Sequence, residues 1–326
     1  MPFPVYKKRR EIAVIGVEST PGTVATKKYA FPWLEKGIHP IISMLENESA
    51  LGLDTRVNDS AADVGHAEGP LAGKVNENNL FYLLPAMFSK VTTVDNEDGT
   101  YTHTFERDPA VARKTLSIWD VRPAGTRLYK SAYLDNLGIK IEVGDQGAYL
   151  EASTSIKSWL HEDVASFTPP AFEVGEKEFV SRQVRVYLAD DEDGLSNAAA
   201  LVKTKSIDWS AEETVTVEHY VGEVNNDPEF SSAPAETKAS LVARYRSTDF
   251  EQGYFANKVH AMKIVAENDD TKIEIIGTRV RFRELTDSDG RDDEVTQTIS
   301  AFFESDLANG GKDVVVKVTN SIASFS

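Results

Sequence analysis

Alternation of apolar and polar residues at every second position dominates this chain, and it confines the fold to half-buried β-strands. Leu137, Ile139, Ile141 and Val143 are interleaved with Lys140 and Glu142, and Val184, Val186 and Leu188 with Arg185 and Tyr187. The pattern returns at Tyr101-His103-Phe105, Ile273-Ile275, Val280-Phe282 and Val314-Val316-Val318. Turn signals separate these runs at short intervals: Glu97-Asp98-Gly99, Gly144-Asp145-Gln146-Gly147, Asp193-Gly194, Asp289-Gly290 and Asn309-Gly310-Gly311. A mostly antiparallel, all-β chain is expected.

Two short helices interrupt it. Leu80, Leu83, Leu84, Met87 and Phe88 follow helical spacing behind Asn78 or Asn79 as the cap, with Pro85 set to shorten the helix. Thr248 and Glu251 have capping-box spacing, and Phe250 and Tyr254 then share a face. The elements around the helices share one order. In the first half, strands at 12–18 and 31–42, a polar stretch at 46–63 and a strand at 65–75 precede the helix. Strands at 100–107, 114–121, 131–143 and 148–159 follow it. In the second half, 180–189, 202–220, the polar stretch 222–236 and 238–247 precede the helix, and 259–267, 272–284, 295–304 and 312–320 follow it. A duplication accounts for this order, with modules at 1–165 and 178–326 joined by a linker at 166–177 around Thr168-Pro169-Pro170. One large embellished sandwich is the alternative.

With 326 residues, 41% hydrophobic and 27% charged, the chain has ample material for a core. No apolar run approaches the roughly 20 residues of a membrane-spanning helix. The start does not read as a secretory signal, because Lys7-Lys8-Arg9-Arg10 is followed by Glu11 and a short apolar run, Ile12 to Val17. Synthesis in the cytoplasm is expected. The lack of cysteine excludes disulfides, thiolate metal sites and cysteine nucleophiles. A formal charge of -17 argues against a protein that grips nucleic acid, and leaves room for one that lets it slide past.

Three stretches resemble siphophage tail tube (major tail) proteins. Ile15-Gly16-Val17-Glu18-Ser19-Thr20-Pro21-Gly22-Thr23 is similar to their opening "G-x-E-x-T-x-G-T". Tyr101-Thr102-His103-Thr104-Phe105 with Leu116-Ser117-Ile118-Trp119 resembles their "Y-T-H-T-F … L-S-I" strands. Val315-Val316-Lys317-Val318-Thr319-Asn320-Ser321 resembles their closing "V-x-V-x-N". The resemblance implies tandem β-sandwich or barrel modules that assemble into rings stacked as a hollow tube. DNA and a tape-measure protein would occupy the lumen, and terminator and baseplate proteins the ends, in a virion tail with no membrane partner. Duplicated modules predict a trimeric ring with pseudo-sixfold symmetry; a hexamer is the alternative.

The strand leading into each helix is the candidate lumen wall, through His66, Glu68 and Lys74 in the first half and Lys238, Ser240, Arg244 and Arg246 in the second. The bland reading makes these ordinary solvent-facing residues. The long polar stretches are the candidate ring-stacking contacts, through Glu46, Glu48, Asp54, Arg56, Asp59, Glu223, Asp227 and Glu229, or else flexible loops. The arms Met1 to Arg10 and Ser321 to Ser326 are expected to order on assembly.

No catalytic residue, metal site or cofactor is assigned. The histidines are scattered singly, with no Gly-x-Ser-x-Gly elbow and no phosphate or dinucleotide fingerprint. The acidic turns at 190–194 and 287–294 do not match a calcium loop. Abundant Asp and Glu leave glycosidase chemistry as the enzyme alternative. Other ring-forming tail proteins and a carbohydrate-binding sandwich are the non-enzymatic alternatives. Trp33, Trp119, Trp159 and Trp209 sit on separate strands, as core or interface residues do, rather than clustering as a sugar platform.

Overall fold

A computed structural model describes residues 6–51, 54–143, 147–173, 175–201, 203–220, 227–245, 249–268, 271–288 and 295–325. The first half contains β1 (Ile12–Val17), β2 (Tyr29–Phe31), β3 (Trp33–Lys36), β4 (His39–Asn47), β5 (Asp59–Lys74), α1 (Glu77–Leu83), β6 (Lys90–Asp95), β7 (Tyr101–Glu106), β8 (Leu116–Arg122), β9 (Gly125–Glu142), β10 (Glu151–Ser158) and β11 (Glu162–Val164). The second contains β12 (Val184–Ala189), β13 (Thr204–Glu212), β14 (Val215–Glu218), β15 (Glu229–Ser232), β16 (Glu236–Arg244), α2 (Asp249–Phe255), β17 (His260–Asn268), β18 (Thr271–Asp287), β19 (Thr296–Phe303) and β20 (Val315–Asn320). The fold is all-β with two short helices, and its strands pair antiparallel.

One pairing scheme runs through both halves. In the first, β1 pairs β8, β8 pairs β9, β9 pairs β10, β10 pairs β5 and β5 pairs β4. In the second, the same path runs β12, β17, β18, β19, β16, β13. The long strands β9 and β18 each change partners along their length. Their N-terminal parts pair with β11 and β20, their C-terminal parts with β10 and β19, and in the latter pairings each has a bulge, at Asp135 and Arg283. Aligning the bulges makes Ser155 the counterpart of Ser300, hence Pro70 of Ser240, Glu68 of Lys238 and Lys74 of Arg244. The halves join along a seam in which β9 pairs β13, from Asn136 opposite Glu212 to Glu142 opposite Ser206. The result is one continuous sheet in the order β4, β5, β10, β9, β13, β16, β19, β18.

Alternation decides which residues enter the core. In β5, Gly65, Ala67, Gly69, Leu71 and Gly73 are buried. Glycine is required at Gly69, whose φ is 153° and where a Cβ would lie 2.3 Å from the Gly37 carbonyl oxygen. A single apolar cluster extends through both halves and takes in Phe31, Leu71, Phe81, Leu137, Trp209, Leu241 and Phe282. Burial of this kind is the main stabilising term of the fold.

The structure departs from the sequence expectations at several elements. Asn76, not Asn78 or Asn79, caps α1: its side chain accepts from Asn79 N at 2.7 Å, and the Asn79 side chain accepts from Asn76 N at 3.2 Å. The cap lies earlier because Val75 N still bonds the Leu150 carbonyl, so the chain stays extended through Asn76. Pro85 ends α1 in a 3-10 turn, as expected. Residues Thr248 and Arg246 lie outside the described residues, as do Asp289 and Gly290. The polar stretch 46–63 is paired strand at its two ends, with β4 reaching Asn47 and β5 starting at Asp59. Both faces of that hairpin tip are exposed, so no alternation marks it. The strand at 100–107 is not the counterpart of 259–267. It is β7, which forms a hairpin with β6 and pairs with β20 of the other half. The counterpart of β17 is β8, and that of β20 is the short polar β11.

Candidate functional site

The continuous sheet has one face against the core and one open. His66, Glu68 and Lys74 of β5 share the open face, as do Lys238, Ser240 and Arg244 of β16, because each set is spaced by even numbers along its strand. Arg246 lies outside the described residues. Between them the open face carries small polar groups. Asn136, Gly138, Ser153, Asp208, Ser210, Glu212, Ser240 and Ser300 line a hollow of about 470 Å³ that spans the seam.

The cations of this face are already engaged. Lys238 Nζ lies 2.8 Å from Glu212 and 3.8 Å from Glu236. The bond to Glu212 raises the Lys238 pKa and keeps it charged. Lys140 lies 3.4 Å from Glu142 and Lys157 lies 3.3 Å from Asp135. Lys74 sits 3.7 Å above the Tyr149 ring. The face is hydrophilic without a row of free positive charge.

Both ends of the sheet are bare. Among the described residues, β4 pairs only with β5, and β18 beyond Phe282 pairs only with β19. These are the counterparts of β13 and of the C-terminal part of β9, the two strands that form the internal seam.

The hairpins beyond the seam make the same point. Hairpin β14–β15 packs on the first half: Phe230 lies 5.0 Å from Tyr133, Trp159 Nε1 donates to the Pro228 carbonyl at 3.0 Å, and Arg113 pairs with Glu213 at 3.2 Å. Lys157 donates to the Val215 carbonyl, and Val215 N donates to Asp135 at 2.6 Å. The counterpart of Val215 is Met44, three residues beyond Ile41 as Val215 is beyond Glu212. Val215 is buried, whereas Met44 is 58% exposed, with Ile42 and Leu45 exposed beside it.

The described residues among those expected at ring-stacking loops fall on or beside these two hairpins. Glu46 and Asp59 are in paired strands, opposite Ser60 and Asn47. Glu48 and Arg56 form an exposed 2.8 Å ion pair at the tip, where Asp54 is also exposed. Glu229 is in β15, opposite Glu218, and Asp227 just precedes it. Glu223 lies outside the described residues. The β14–β15 hairpin thus makes lateral contacts with the neighbouring half, which sequence reasoning did not foresee. A strand's partner is set by distant residues, and a hydrophilic tip gives no periodic signal.

The motif residues serve the framework. Glu18 is buried and accepts from Gly22 N, Thr115 Oγ1, Ser117 Oγ and Ser131 N at 2.9, 2.6, 2.8 and 3.1 Å. His103 is buried, with Nε2 donating to the Ile322 carbonyl at 2.8 Å and Nδ1 accepting from Thr93 at 2.8 Å. That tautomer follows because a carbonyl only accepts. Trp119 and Trp209 are buried, and Trp33 Nε1 donates to the Glu11 carbonyl at 3.0 Å. Among the described residues no group of three metal-ligating side chains comes together, and no helix is long and apolar enough to cross a membrane. No protein-family model and no curated protein matches the chain.

Proposed function

We propose that this chain is a structural subunit that joins head-to-tail with copies of itself into a ring, and that stacked rings form the tail tube of a virion. The observation that carries this reading is the internal seam. The molecule already contains one β9–β13 junction, and it exposes at its two ends the counterparts of both partners. Repeating the seam sets β18 of one copy against β4 of the next, with Glu284 opposite Ile41 and Thr286 opposite His39. Such an interface is heterologous and repeats until it closes. Closure also covers two edges that would otherwise template aggregation.

Two halves per chain make three chains the natural ring, with six modules around the bore. The open polar face lines that bore. Its cations are held by carboxylates, so few phosphates would be neutralised, and DNA passes without being gripped. The partners under this reading are further copies of the chain, a tape-measure protein and viral DNA inside, and terminator and baseplate proteins at the ends. The chain needs no cofactor, and its place is the virion tail after assembly in host cytoplasm.

The test uses the lack of native cysteine. Thr286→Cys and His39→Cys introduced together should give interchain disulfides, because directly opposed strand positions lie within bridging distance. Denaturing gels should show a ladder ending at three chains, about three times 35.9 kDa. A ladder ending at six would replace the trimer with a hexamer, and no cross-linking at any concentration would overturn the ring.

A further inference from the structure

The linker that leads into the second half does more than connect. Phe179 is fully buried against the first half, where Phe179 N donates to the Val75 carbonyl and Leu150 N donates to the Phe179 carbonyl, both at 2.9 Å. A 3-10 turn, Ser181–Gln183, then leads into β12. The N-terminal arm repeats this stretch. The turn Lys8–Arg10 leads into β1, Arg10 N bonds the Lys7 carbonyl as Gln183 N bonds that of Val180, and Tyr6 falls where Phe179 does.

The seat for such an arm is present in the second half and uncovered. Val75 and Leu150 have Tyr245 and Val295 as counterparts, joined by the same bond from Tyr245 N to the Val295 carbonyl at 3.0 Å. The first-half residues are buried, whereas Tyr245 is 36% and Val295 50% exposed, and Tyr6 itself is 49% exposed. Beside this seat a cavity of about 680 Å³ opens between β12 and α2, lined by Leu188, Ala199, Leu201, Phe250 and His260. His260 Nε2, buried in its wall, has no hydrogen-bond partner among the described residues. The cavity exists because Ala199 and Leu201 stand at the positions of Tyr29 and Phe31, which fill the first half. There the linker closes the site through Glu176, which accepts from Tyr29 at 2.9 Å. Three residues before Tyr6, as Glu176 is before Phe179, the arm carries Phe3.

We infer that the N-terminal arm of one copy crosses to the second half of its neighbour and takes there the seat that the linker holds in the first half. Tyr6 lies on Tyr245 and Val295, next to the cavity beside α2. This rests on the head-to-tail ring proposed above, and it adds a second bond between the same two copies.

Tyr6→Cys with Val295→Cys tests it in the full chain, beside the Thr286→Cys, His39→Cys pair. The expected result is an interchain disulfide from each pair in assembled protein and none in dilute monomer. Cross-linking by the edge pair alone would overturn the arm exchange and leave the ring standing. Failure of both pairs would overturn both. As a second readout, Tyr6→Ser should raise the concentration needed for assembly about tenfold without changing the melting temperature of the monomer; an unchanged assembly concentration counts against the exchange.

Discussion

Met44→Lys is the sharpest perturbation of the proposed edge. Met44 is 58% exposed in the single chain, and its counterpart Val215 is buried. Burying a large apolar side chain contributes about 1.5–3 kcal/mol, so covering the rest of Met44 contributes about 1–1.7 kcal/mol per interface. Lysine forfeits that and must be desolvated. It would also meet a positive charge, because Val215 N bonds Asp135, and the counterpart of Asp135 on the neighbouring edge is Arg283. A loss of at least about 3 kcal/mol per interface follows, more than a hundredfold in its dissociation constant. In the monomer the change is at a surface tip, where substitutions stay within about 0.5 kcal/mol. Mass photometry across a concentration series should therefore find rings for the parent protein where the variant remains at 35.9 kDa. Circular dichroism and thermal melts should not separate the two. A variant that forms rings at the parent concentration, with its fold intact, would refute the edge assignment.

Three further outcomes probe the framework. Glu18→Ala strips the shared acceptor from four donors, all in the first half, and should destabilise the chain by about 3 kcal/mol or more in denaturant titration. Asn76→Ala removes the cap of α1 and should cost about 1 kcal/mol in the same assay. Burial holds the pKa of His103 below its ordinary value, against the opposing pull of its bonds to Ile322 and Asn320, and burial with the nearby Lys258 charge does the same for His260. Both are neutral in the fold, so their contribution is complete above about pH 6.5 and declines as pH falls below it, when the unfolded chain takes up protons. Melting temperature should drop from about pH 6.5 toward pH 5, and His103→Gln should flatten that limb; an equal slope in the variant would remove His103 from the account.

How much of this was legible in the residues differs by element. The strands with one core face, such as β9 and β19, announce themselves because burial on a single side enforces period two. For the same reason His66, Glu68 and Lys74 could be placed together before any coordinates. The helix α1 was visible through its apolar spacing, but its cap was not, since several asparagines adjoin it and strand pairing through Val75 chose among them. β6, β11 and β14 have little or no buried face, so their pairing leaves no pattern in the sequence. The seam was beyond reach for a different reason: β9 and β13 are more than sixty residues apart, and nothing local says which strand lies beside which. The recurring order of elements hinted at it, but matched β7 with β17 in place of β8.

The covalent link across the seam also bears on how fast a ring could start. Two separate modules must meet by diffusion and surrender translational and rotational freedom, at about 4–15 kcal/mol for each association. Tethered halves meet at a millimolar-scale effective concentration set by the linker. A six-module circle built from duplicated chains therefore has half of its junctions in place when each chain folds. Only two encounters remain, the third interchain junction forming as the ring closes on itself, whereas six separate modules would need five.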